Sequence, residues 1–102
     1  MGLAIKWEDE WGKCLDKTFD PTNILHKLLP HYKDQSYHCL RYVDLYGNTV
    51  FNCLQMEALL EELERIKTIA ETDVELSLIE KIACLARFCM EEPHTYIKFY
   101  GD

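Results

Sequence analysis

The apolar residues of this chain switch period along its length, and that switching limits the fold more than any other feature. From Leu54 to Ile69, Met56, Leu59, Leu60, Leu63 and Ile66 recur every three or four residues, with Glu57, Glu61, Glu62, Glu64 and Arg65 between them. That is an amphipathic helix. A second helix follows, with Leu78, Ile79, Ile82, Leu85, Ala86 and Cys89 on its apolar side. Elsewhere the period is two. Leu3, Ile5 and Trp7 alternate with Ala4 and Lys6, residues 13–19 set Leu15 and Phe19 against Asp16 and Thr18, and residues 94–100 set Ile97 and Phe99 against Tyr96, Lys98 and Tyr100. These runs predict half-buried strands. A helix with one apolar stripe must bury it against another layer. The expectation is an α+β fold: a single antiparallel sheet in β-β-α-β-β-α-α-β order, with helices packed mainly on one face.

Local signals fill in the order. Residues 8–12 connect the first two strands as a hairpin. Asp20-Pro21 predicts a helix start, with Asp as cap and Pro at the first helical position. Ile24, Leu25, Leu28 and Leu29 form its apolar side until Pro30, and residues 30–37 predict a loop. Residues 38–45 (Leu40, Tyr42, Val43, Leu45) and 49–52 are rich in strand formers. Between them Tyr46-Gly47-Asn48 suits a tight turn with positive φ, which predicts a second hairpin. Asn52 and Gln55, and then Thr72 and Glu75, have the spacing of helix-capping pairs. Pro93 bars continuation of the last helix.

A chain of 102 residues has room for one domain, spanning residues 1–102. With 48% hydrophobic residues it can build a core without metals or cross-links. Its formal charge of −7 opposes binding to nucleic acid or an anionic membrane and speeds encounter with a basic partner. Acidity also serves solubility alone, and that reading stays open. The five cysteines (Cys14, Cys39, Cys53, Cys84, Cys89) are odd in number and scattered, so they predict free thiols in a reducing, cytoplasmic compartment. Neither a signal-peptide pattern nor an apolar run of membrane-spanning length stands out.

No reaction chemistry is legible. The metal-ligand candidates Cys14, His26, His31, His38, Cys39 and His94 lack the close pairing of a zinc site. The cysteines have no recognisable base beside them. Asp44 and Glu57 can be drawn as an acid–base pair, yet nothing in their spacing makes them meet. Gly12 and Gly47 each stand alone, unlike a phosphate-cradling loop. The expectation is a non-enzyme without metal or cofactor.

Two features point to binding. Trp7-Glu8-Asp9-Glu10-Trp11 puts two indoles around three acids at a hairpin tip, the type of anchor found at interface hot spots. The alternative is that Trp7 belongs to the core and Trp11 packs over the sheet edge. The second feature is the set Tyr32, Tyr37, Tyr46, Tyr96 and Tyr100, with Asp44 beside Tyr46. Exposed tyrosines among acids suit a basic protein surface, or else cover an open sheet face or a homodimer contact. The acidic helix residues read as a solvated face.

Residues 40–55 and 94–102 resemble stretches of small bacterial proteins in which a strand, a Tyr-Gly turn, a Thr-Val-Phe-Asn strand and a Gln-initiated helix follow one another. In size and charge the chain is similar to the immunity proteins of polymorphic and contact-dependent toxin systems. That resemblance implies a cytosolic protein that binds and neutralises a toxin domain, a basic nuclease for choice, by occluding its active site. Two other readings remain: a non-catalytic adaptor or homodimeric structural module, and a small enzyme or ligand-binding domain.

Overall fold

The structure, a computed structural model, describes residues 2–101. Its strands are β1 (Leu3–Asp9), β2 (Cys14–Asp20), β3 (Asn48–Asn52) and β4 (Thr95–Tyr100), and its helices are α1 (Ile24–Leu28), α2 (Met56–Lys67) and α3 (Asp73–Glu91). The four strands form one antiparallel sheet in the order β2-β1-β4-β3. The first and last strands are therefore its centre. The fold is α+β, with helices packed against the sheet.

Alternation decides which side of the sheet is covered. Ile5, Ile97 and Phe99 are wholly buried, as are Met56, Leu59 and Ile66 of α2 and Ile79, Ile82 and Cys89 of α3. Phe51 meets Phe99 edge to face at 5.9 Å between ring centroids, closing the core at the β3 edge. Trp7 stacks on Phe88 of α3 at 5.3 Å. Each such ring buries a large apolar area, and edge-to-face or offset contacts add about 1 kcal/mol beyond burial.

The helix starts follow the sequence closely. The Asn52 side chain accepts the Leu54 N–H at 3.0 Å and the Gln55 side chain accepts the Asn52 N–H at 2.9 Å, starting a short 3-10 turn (Cys53–Gln55) that runs into α2. Thr72 and Glu75 make the same reciprocal pair at α3. Asp20 does cap α1, but from farther back than expected. Its two carboxylate oxygens accept the N–H groups of Ile24 and Leu25, both at 2.8 Å, and Pro21 lies in a turn before the helix.

One expected element is absent. Residues 38–45 form no strand; Leu40–Tyr42 make a 3-10 turn, and β3 pairs with β4 instead of closing a second hairpin. The cause is a carboxylate. Buried Glu62 of α2 accepts the backbone N–H groups of His38, Cys39 and Leu40, which a strand would have offered to a neighbour. Gly47 is also needed for a different reason than positive φ, which among the described glycines only Gly12 shows. A Cβ at Gly47 would lie 2.6 Å from the Asp44 carboxylate, and its carbonyl accepts the Gly101 N–H at 2.7 Å.

Candidate functional site

The acids of the first hairpin have separate jobs. Glu8 is 4% exposed on the helix-free face of the sheet, where Tyr100 OH donates to it at 2.5 Å and Lys98 Nζ lies 3.0 Å away. Burial pushes the Glu8 carboxyl up, but the hydrogen bonds from Tyr100 and Lys98 outweigh burial and hold it below the usual carboxylate range. Burial and the adjacent Glu8 push the Tyr100 phenol up to about 12. Asp9 closes the turn, with one oxygen accepting the N–H groups of Trp11 and Lys13, each at 2.9 Å. Glu10 alone of the three has no hydrogen-bond or ion-pair partner among the described residues and lies at the surface beside Trp11, which is 86% exposed. Trp7 faces the helices.

The tyrosines also divide. Tyr37 is buried, contrary to its expected place on an open loop, because the Arg65 guanidinium lies 3.9 Å over its ring and donates to the Ser36 carbonyl. Tyr32 is exposed and stacked on His31. Tyr46 is exposed at its turn, where the Asp44 carboxylate accepts its N–H at 2.8 Å. Tyr96 and Tyr100 are half-buried on the open sheet face. Register puts Thr95 against Asp9 and Tyr100 against Asn48, so Trp11 and Tyr46 occupy opposite ends of the sheet. The expected binding residues form no single patch. Asp44 and Glu57 are not brought together as a hydrogen-bonded pair: Asp44 caps its own turn, and Glu57 lies exposed on α2.

A different surface brings chemistry together. An open cleft of ≈ 450 Å³ runs between the 36–38 segment and the first half of α2, lined by Ser36, His38, Leu54, Glu57, Glu61 and Glu62. Its floor is the Glu62 carboxylate, held by the N–H groups of residues 38–40. Its walls carry Glu57 and Glu61, one helical turn apart and both exposed. Leu54 stands at the rim, 87% exposed, at the turn that leads into α2. Such a groove attracts an ammonium or guanidinium group, and its exposed leucine offers apolar contact beside the charge. One sequence signal marks this cleft: Leu54 lies inside a helix-capping segment where no core position is required.

A second cleft, of ≈ 530 Å³, lies between the end of β2 and the start of α3. Phe19, Ile24, Val74 and Leu78 make it mainly apolar, with Asp73 and Lys81 among its polar lining.

In the first cleft Ser36 and His38 share no hydrogen bond among the described residues, because the Ser36 hydroxyl donates to Asp34 at 2.6 Å and accepts from Arg65 at 3.0 Å. All five cysteines are free thiols. Burial pushes Cys39 up to about 11, with the Glu62 charge adding to it, and burial also raises Cys89. Thiols held protonated are poor nucleophiles. Among the described residues no group of three or more His, Cys, Asp or Glu side chains is placed to hold a metal ion. Among them, too, no helix is long and apolar enough to cross a membrane. No family model, curated protein or solved structure matches the chain.

Proposed function

We propose that the chain is a non-catalytic binding protein that neutralises a basic toxin domain by covering its working surface, as the immunity proteins it resembles do. The observation that supports this reading best is the acidic cleft. Among the described residues Glu57 and Glu61 make no ion pair, and both are exposed on one face of α2 with exposed Leu54 beside them. In this reading a Lys or Arg that the toxin uses to hold substrate phosphate enters between the two carboxylates. Leu54 seats in an apolar depression next to it. The chain's net charge of −7 speeds the encounter, and the contacts within the cleft slow dissociation.

Inhibition is then steric and stoichiometric. It calls for no cofactor and no bond making. The test is co-expression with the variable C-terminal domain of a large secreted protein, where one is encoded directly upstream. Protection from growth arrest by this chain, lost in the Glu57→Lys/Glu61→Lys variant, is the expected result. Growth arrest that persists in the presence of the unaltered, folded chain sinks the proposal.

A further inference from the structure

The sheet face that carries no helix has a sign opposite to that of the chain. Register sets Lys17, Lys6 and Lys98 side by side on β2, β1 and β4, roughly 5 Å apart from strand to strand. Val50 of β3 continues that row, and Phe19 and Tyr100 flank it in the next. Phe19 is 54% exposed and Val50 50%, so the face offers apolar area as well as charge. Among the described residues paired in the rows through Ala4, Lys6 and Glu8, which make up this face, the one carboxylate is Glu8, already taken up by Lys98 and Tyr100. Three ammonium groups against one carboxylate leave the face positive in a chain of net charge −7.

The Tyr100 and Phe19 rings on this face are not free for stacking, and Tyr96 beside them is half-buried. Lys6 Nζ stands 5.0 Å from the centroid of the Tyr100 ring, and Lys17 Nζ 5.6 Å from that of Phe19. Each ring thus holds an ammonium group near its face. Single-stranded nucleic acid binds such sheets by stacking bases on free rings, and that is disfavoured here. A second copy laid face to face would set lysine row against lysine row, which is also unfavourable. What fits is a ligand with carboxylates for the lysines and aliphatic groups for Phe19 and Val50.

We infer that the open sheet face is a docking surface for an acidic segment of a partner protein, whose carboxylates meet Lys6, Lys17 and Lys98 while its aliphatic side chains lie on Phe19 and Val50. This surface is distinct from the acidic cleft and takes a partner of the opposite charge, so it does not depend on the toxin reading. Fluorescent poly-L-glutamate titrated with the purified chain, followed by anisotropy at low and high salt, tests it, with poly-L-lysine and oligothymidylate as the other arms. Polyglutamate binds at low salt, and Lys6→Gln/Lys17→Gln weakens it by about tenfold while poly-L-lysine binding is unchanged. Lys17→Gln alone, at an exposed edge-strand position, gives a smaller loss in the same direction and stands in where the double variant folds poorly. The proposal is overturned if polyglutamate fails to bind, if the lysine variants bind it equally well, or if oligothymidylate binds tighter through the same lysines.

Discussion

Glu62 Oε1 accepts the backbone N–H of Leu40 at 2.8 Å, across 22 residues of chain. With the N–H groups of His38 and Cys39 also on this carboxylate, one side chain of α2 fixes the middle of the long connection between α1 and β3. One turn later, Arg65 donates to the carbonyl and hydroxyl oxygens of Ser36 and covers Tyr37. The floor of the acidic cleft is therefore also the anchor of its wall.

Glu62→Gln keeps the shape but loses the charge and one of the two acceptor oxygens. Hydrogen bonds to a buried charged group contribute about 2 kcal/mol each, and an N–H left without a partner costs about as much. A drop of about 3 kcal/mol in unfolding free energy is expected for Glu62→Gln, measured by urea denaturation. A loss under about 0.5 kcal/mol, the range of an ordinary surface change, would show that the 38–40 segment does not depend on this carboxylate.

Thr72→Ala removes the side-chain oxygen that accepts the Glu75 N–H at the start of α3. Loss of such a cap destabilises by about 1 kcal/mol. Thermal unfolding should move down by a few degrees, with little change in the folded far-ultraviolet spectrum.

Tyr100 and Glu8 tie stability to pH at both ends of the scale. The Tyr100 phenol rises from 10.0 to about 12 on folding, so its contribution is present below pH 10 and is lost as pH rises towards 12. Glu8 is lowered on folding from 4.5, so its contribution is present above pH 4.5 and is lost as the pH falls through its lower folded value. Tyr100→Phe removes the donor to Glu8, and acid unfolding should then begin at a higher pH than in the parent. An unchanged acid midpoint would contradict the pairing.

The two tryptophans should differ in emission. Trp11 is 86% exposed, whereas Trp7 is half-buried and stacked on Phe88. Trp11→Phe should leave a blue-shifted spectrum that resists acrylamide quenching, and Trp7→Phe a red-shifted one that does not. Equal quenching of both variants would place Trp11 against other parts of the chain.

Much of this architecture is legible in the residues, and the parts that are not have a common cause. Leu3, Ile5, Ile97 and Phe99 alternate, and Leu59, Leu63 and Ile66 recur at helical spacing, so β1, β4 and α2 declare themselves through local period. Thr72 and Glu75 are three residues apart, and their reciprocal bonds follow from that spacing. Leu40, Tyr42, Val43 and Leu45 have equally good strand propensity, yet Glu62 claims the N–H groups of that segment from another element. The same non-locality governs the candidate site. Nothing near Glu8 in sequence reports that Tyr100 and Lys98 will bury it, and nothing near Tyr37 announces Arg65. Exposure of Trp11, Tyr32 and Tyr46 follows from turn positions, whereas their wide separation follows from strand order.

The most direct measurement of the proposal takes the variable C-terminal domain of a large secreted protein, where one is encoded directly upstream, and compares its association rate with this chain and with Glu57→Lys/Glu61→Lys across a range of salt concentrations. A partner that enters the acidic cleft should associate about tenfold more slowly with the double variant at low salt, dissociate faster from it, and show a weaker salt dependence. Identical rates for the two proteins at every ionic strength would contradict a role for the cleft in binding.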